Sequence, residues 1–248
     1  MEDIVMIYHA GSAVSMSIGG TMVDKIPEKP ETLRVVVFID GQNFYNDCKR
    51  VFGHGETHPH LLAQELCSSA VGGPNRTLQE VRFYTGIHGP RRDPKMNSYM
   101  QRRLSAMQKN GVTTISRPLK YSEEVVEDRH KRGQYKKIWK GREKGIDVRL
   151  ALDMVIYAMI NKYDIASLVS RDSDLEEAIN DVFLIRKAFE RWITVENVLC
   201  CETTISGKSK PLPGLDPPMR TIHFDQDFFD KIRDDTDYWN PPSISPSK

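Results

Sequence analysis

Val35-Val36-Val37-Phe38-Ile39-Asp40-Gly41-Gln42-Asn43 is an unbroken β-branched and aromatic run that stops at a carboxylate and a glycine. An apolar run without polar alternation fits a strand covered on both faces, as in a parallel sheet. A carboxylate at its end puts negative charge where open α/β sheets carry their ligands. Two other stretches repeat the arrangement. Lys144-Gly145-Ile146-Asp147 leads into an apolar helix, and the run Ile165–Val169 is followed by Ser170-Arg171-Asp172-Ser173-Asp174. Carboxylates about 4 Å apart repel by roughly 4 kcal/mol at an effective dielectric of 20. Several of them gathered in one cleft call for a cation, and a divalent ion held this way usually acts on phosphate.

Outward from the first run, strands and helices alternate. Strands are expected over Arg34–Ile39, Leu78–Thr85, Val112–Ser116, Asp164–Ser170, Trp192–Cys200 and Met219–Phe224. Helices are expected over Asn43–Val51, Pro59–Ala70, Asp93–Lys109, Asp147–Ile160, Leu175–Phe189 and Gln226–Ile232. The stretch from Arg117 to Arg142 reads as irregular, with Tyr135–Lys140 a strand or one arm of a hairpin. This βαβ series predicts an α/β fold with a mostly parallel central sheet and helices on both faces. Residues 1–33 read as an N-terminal extension, poorly ordered or forming an extra hairpin. Residues 34–232 read as one domain, and residues 233–248 as a disordered C-terminal tail rich in Pro and Ser.

Composition narrows the classes. The 248 residues carry a net charge of +1, so overall charge does not announce a polyanion binder. The distribution is uneven. Arg129–Lys144 holds eight Lys/Arg against one acid, Glu143, and Arg91–Asn110 holds six against one Asp. Asp216–Asp237 holds seven Asp against three basic residues. Basic stretches in a neutral chain attract polyanions to one face; a solvated charged surface is the plainer reading. The four cysteines form no C-x-x-C pair and no zinc spacing, which fits a reducing, cytoplasmic compartment. No apolar run approaches the ~18 residues of a membrane span, so no membrane partner is expected.

Residue by residue, each cluster also has a plainer explanation. Asp40 is a natural metal ligand at a strand end. Asn43 binds a substrate phosphate, holds a metal-bound water or caps a helix. Asp147 is a ligand or an N-cap carboxylate. Asp153 pairs with Arg149 at i,i+4 or supports the site from behind. Asp172 faces the cleft, and Asp174 binds metal or caps the next helix. Lys144, Ser170 and Ser173 are candidate contacts to phosphate or water. A serine nucleophile is disfavoured, because no histidine is placed to activate one. His54, His58 and His60 read as loop histidines rather than a zinc site. Tyr135 and Trp139, among basic residues, suit stacking on unpaired bases; for Trp139 a hairpin core is the equal alternative.

Taken together, the three motifs resemble the NYN-domain family, a branch of the PIN-like nuclease superfamily, and particularly its LabA-like members. The likeness rests on Phe38–Tyr45 (FIDGQNFY), Lys144–Met154 (KGIDVRLALDM) and Tyr163–Ile179 (YDIASLVSRDSDLEEAI), and it extends from Arg34 to Ile232. It implies a PIN-like α/β/α sandwich and a metal-dependent endoribonuclease using Mg²⁺ or Mn²⁺. Asp40, Asp147, Asp172 and Asp174 would then form the metal pocket, completed by Asn43. Hydrolysis would leave a 5′-phosphate and a 3′-hydroxyl. RNA is the implied partner; DNA is not excluded, because a water nucleophile does not need the 2′-hydroxyl. One departure stands out. The family usually has Gly where this chain has Arg171, whose side chain would contact phosphate or block the pocket. The alternative is therefore an inactive or weak PIN-like module that binds RNA or a protein partner. Homo-oligomerisation is left open.

Overall fold

In the computed structural model the apolar run becomes the central strand of a six-stranded sheet. Residues 27–127, 133–201 and 219–240 are described in full, and 5–9 and 12–16 as backbone only. The strands are β1 (Val5–His9), β2 (Ser12–Met16), β3 (Leu33–Asp40), β4 (Arg76–Ile87), β5 (Val112–Pro118), β6 (Lys120–Glu127), β7 (Tyr135–Arg142), β8 (Ile165–Val169), β9 (Thr194–Cys200) and β10 (Arg220–Phe224). The helices are α1 (Gly41–Phe52), α2 (Pro59–Cys67), α3 (Pro94–Lys109), α4 (Ile146–Met159), α5 (Glu176–Ala188) and α6 (Gln226–Ile232), with a 3₁₀ turn at Ser173–Leu175.

The sheet order is β10-β9-β8-β3-β4-β5, and every pairing is parallel. Counted from β3, this is the doubly wound order 3-2-1-4-5-6. The direction of winding reverses between β3 and β8, and open sheets bind ligands at that crevice. Side-chain alternation divides the core. Val35, Val37 and Ile39 pack with Phe44, Leu62, Leu104 and Phe229, so α1, α2, α3 and α6 cover one face. Val36 and Phe38 pack with Leu150, Met154, Ile179 and Val182, so α4 and α5 cover the other. The result is a three-layer α/β/α sandwich. The same alternation turns Asp40 toward the α4 face.

Three stretches settle or change the sequence expectation. The irregular stretch forms a complete antiparallel hairpin, β6–β7, with Glu127 opposite Tyr135 and Lys120 opposite Arg142. It leaves the sheet after β5 and returns at Glu143, so it rises at the carboxyl ends of the strands. Within the extension, β1 and β2 pair as an antiparallel hairpin; the rest of 1–26 lies outside the described residues. The tail does not begin at 233. Arg233 bridges Thr57, Tyr238 OH donates to Asp234 at 2.8 Å, and Trp239 stacks on Tyr99 at 4.6 Å. Only 241–248 of the expected tail lie outside the described residues. His54 and His58 face Asp234, at 3.1 Å from its carbonyl and 3.4 Å from its carboxylate respectively, so they brace this segment. No helix among the described residues is long and apolar enough to cross a membrane.

Candidate functional site

Asp40 sits at the end of β3, 9% exposed, where the chain turns into α1. Its Oδ1 accepts from Asn43 N–H at 3.1 Å, which caps α1. Its Oδ2 accepts from the Ser170 hydroxyl at 3.2 Å, across the switch point at the end of β8. The Ser170 oxygen accepts from Asp172 N–H at 3.1 Å, and Asp172 Oδ1 accepts from Asp174 N–H at 3.0 Å. One hydroxyl thus ties Asp40 to the loop that carries Asp172. Asn43 completes the tie: its Oδ1 accepts from Arg171 N–H at 3.1 Å.

Asp147 enters from the α4 side. The helix begins at Ile146 with Gly145 as N-cap, so Asp147 lies in the first turn and is not the cap residue. Gly145 is left-handed, φ 76°, a turn that its lack of a side chain permits. No side chain caps this helix start.

Glu143 was passed over in the sequence as the lone acid of a basic run. Its carboxylate accepts from Gly86 N–H at the end of β4. In the β3–β4 register Asp40 lies opposite Tyr84, two residues before Gly86. A Cβ on Gly86 would fall 2.6 Å from Glu143 Cγ and 2.7 Å from its Oε1, so glycine makes room for this acid.

The charges of these acids act on their neighbours. Burial lifts the Asp40 carboxyl above its ordinary range; the bonds from Asn43 and Ser170 oppose that, and the charges of Asp172 and Asp147 push it further up. Burial likewise lifts Glu143, the Gly86 amide opposes it, and the charges of Asp40 and Asp147 add to it. Asp40 thus feels Asp147 and Asp172, and Glu143 feels Asp40 and Asp147. Asp174 is exposed and is not among the main charges acting on Asp40. Ser173 and Lys144 are exposed too.

Asp153 belongs to a separate buried network. It accepts from Arg82 at 2.8 Å, from Tyr84 OH at 2.9 Å and from Arg149 at 3.1 Å. Tyr84 is the strand neighbour of Asp40, so this network fixes the backbone behind the cleft. Arg171 does not reach into the cleft. Its Nε donates to Asp47 at 2.6 Å and its Nη2 to the Cys200 carbonyl at 2.7 Å.

The donors in the cleft are oxygens, carboxylates with the Ser170 hydroxyl and the Asn43 amide, the chemistry a hard cation takes. Among the described residues, no group of three or more His, Cys, Asp or Glu stands close enough to hold a metal ion by itself. Magnesium is usually held by one or two carboxylates, with waters and substrate phosphate completing its shell.

Beside the cleft, the β6–β7 hairpin carries Lys136, Lys137, Lys140 and Arg142. Trp139 is 55% exposed with Arg92 lying 4.4 Å over its ring, so it is not a hairpin core residue. Tyr135 is 70% exposed.

The sequence matches the family model described as "NYN domain" over residues 34–194. No curated protein matches it. Among solved structures, a protein of unknown function from Vibrio parahaemolyticus is similar, at 16% identity and a TM-score of 0.48, over 81% of this chain and 98% of that one.

Proposed function

This chain belongs to the NYN domain family, a PIN-like nuclease family, and we propose on that premise that it is a metal-dependent endoribonuclease. The observation that carries the reading is the placement of acids at the switch point of the sheet: the Ser170 hydroxyl ties Asp40 to the backbone of Asp172, and the Gly86 amide holds Glu143 at the end of the neighbouring strand. Four carboxylates held in one crevice are costly unless a cation joins them. Asp40, Asp147 and Asp172 would hold Mg²⁺ or Mn²⁺, with Glu143 beside them and Asp174 available through water. When bound, such an ion polarises a phosphodiester oxygen and lowers the pKa of an attacking water.

The chain's own residues supply position and selectivity. Ser170 and Asn43 fix Asp40 and the Asp172 loop in one geometry. The uncapped first turn of α4 leaves backbone N–H groups for a substrate phosphate. The basic hairpin steers a polyanion toward the strand ends, and exposed Tyr135 and Trp139 offer faces for unpaired bases.

The test is cleavage of single-stranded and structured RNA, with matched DNA, in Mn²⁺, Mg²⁺ or EDTA. Wild type should cut RNA only with metal, and Asp172→Asn should cut at least a hundredfold more slowly while keeping its melting temperature. Cleavage that survives both EDTA and the substitution overturns the mechanism. Intact RNA in every lane, with RNA still bound, favours the binding-module alternative.

A further inference from the structure

A second cavity, of about 300 Å³, opens beside the acidic cleft on the other face of the sheet. It lies between the first turn of α1, the end of β4 and helix α3, and it shares Gly41 and Gly86 with the surroundings of the cleft. Gly41 follows Asp40, and Gly86 holds Glu143. Its size falls at the lower end of small-molecule sites.

The walls are aromatic. Tyr45, Phe83, Tyr99 and Trp239 line it, with Met96 and Met100. Tyr99 and Trp239 stack on each other at 4.6 Å, and Trp239 is half exposed. A planar, largely apolar body suits such a space.

At its inner end lies Arg103, only 5% exposed. Its Nε is buried without a hydrogen-bond partner, and among the described residues its guanidinium has no ion pair. Its guanidinium lies 5.9 Å from the Phe83 ring, and its charge acts on the Tyr99 and Tyr238 hydroxyls. Burying a cation without an acceptor is costly, and a ligand that brings acceptors would offset that cost. On the same lining stands Glu56, whose Oε1 accepts from Tyr99 OH at 2.8 Å. Its other oxygen remains for donors on a ligand. His54 Nε2 is 4.0 Å from that oxygen.

We propose that this pocket takes one unpaired guanine base of the RNA strand whose phosphodiester lies in the acidic cleft. Arg103 reads the adjacent O6 and N7 acceptors, and Glu56 takes the N1–H and N2–H donors of the other edge. Guanine presents two neighbouring acceptors to a guanidinium fork. Adenine replaces one of them with a donor, and a pyrimidine cannot offer both edges in this arrangement. The proposal rests on the nuclease reading for its substrate but concerns binding alone.

The test is equilibrium binding of pentaribonucleotides UUGUU, UUAUU, UUCUU and UUUUU by fluorescence anisotropy in EDTA, where no cleavage occurs. Wild type should bind UUGUU roughly ten- to a hundredfold more tightly than the others. Glu56→Gln should shrink that preference. Arg103→Met should abolish it and raise the melting temperature of the free protein, because an unpaired buried cation is gone. A purely structural Arg103 would instead lower the melting temperature. Should Arg103→Met not fold, Arg103→Lys keeps the charge without the fork and should still lose the preference. Equal binding of all four oligonucleotides, or guanine preference surviving both arginine variants, overturns the proposal. Metal-dependent cleavage without base preference would remove the subsite and leave the nuclease reading standing. Guanine-selective binding without cleavage would do the reverse.

Discussion

Asp40→Asn removes one charge from the acidic cleft and little else. Asparagine Oδ1 keeps the bond from Asn43 N–H, and its Nδ2 donates to the Ser170 oxygen where Asp40 now accepts. The change is therefore almost purely electrostatic. A like charge 6–8 Å away costs roughly 2 kcal/mol at an effective dielectric of 20. Asp147 and Asp172 are only half-buried, so solvent screening leaves on the order of 1 kcal/mol. For a chain of this size that is a rise of about 2–4 °C in melting temperature. In EDTA at pH 7.5, the variant should melt higher than wild type by that amount. Metal reverses the order. At ten times its dissociation constant an ion stabilises wild type by about 1.4 kcal/mol, or roughly 3–6 °C, and the variant should lose most of that gain. The pH dependence follows from the raised pKa of Asp40. A carboxyl that holds its proton more tightly when folded contributes full stability below its unfolded pKa, and loses it as pH rises through its folded pKa. The gap in EDTA should thus be fully open above Asp40's raised pKa and close as pH falls toward the unfolded value near 3.8. Differential scanning fluorimetry across this range measures all three effects. A variant that melts below wild type in EDTA, or a gap that does not close in acid, would refute the crowding of charge argued for the cleft.

Three other substitutions probe the supports of the site. Gly86→Ala drives a methyl into Glu143 and Leu119; it should cost about 1–3 kcal/mol and reduce cleavage at saturating metal by more than the folded fraction explains. Asp153→Asn withdraws charge from Arg82, which is buried with it. Glu80 remains on Arg82 at 2.6 Å, so the loss should be roughly 2–3 kcal/mol, or about 4–12 °C in a thermal melt. Arg171→Ala leaves Asp47 with Arg50, 2.5 Å away, and the Cys200 thiol, and should cost about 1 kcal/mol. The Arg171 amide still reaches Asn43, so cleavage should stay within severalfold of wild type; a loss beyond tenfold would mean that this guanidinium does meet substrate.

Much of the architecture was legible in the sequence because burial imposes a pattern. The run into Asp40 has no polar break, and β3 is buried along nearly its whole length. The β6–β7 hairpin was legible only in its second arm, for the opposite reason. Its strands are exposed on both faces and are joined by cross-strand charge pairs such as Lys137–Glu123 and Arg142–Glu124. Such a ribbon leaves no period-two apolar signal. The carboxylates at strand ends were readable as a group, but their individual roles were not. A D-x-D sequence does not say which acid turns inward; the 3₁₀ turn at Ser173–Leu175 does, leaving Asp174 exposed. Glu143 was hidden because its position depends on Gly86, 57 residues away. A single acid among eight basic residues, just before a Lys-Gly turn, was the available signal.

The sheet order explains why the acids meet where they do. After β3 the chain departs to one face through α1, and after β8 it departs to the other through α5. The two strands are neighbours, yet their helices separate, so a crevice opens between the strand ends with no side chain obliged to fill it. Four long-range polar contacts of the chain gather at its mouth. Ser170 bonds Asp40, Asn43 holds the Arg171 amide, and the Arg171 side chain clasps Asp47 on α1 and the end of β9. These contacts hold two diverging segments together against the repulsion of the acids they carry. A fold needing only stability would place apolar side chains there. Arg171 thus reads as a brace: it offsets the strain of a charged crevice from outside, and its side chain does not enter the crevice.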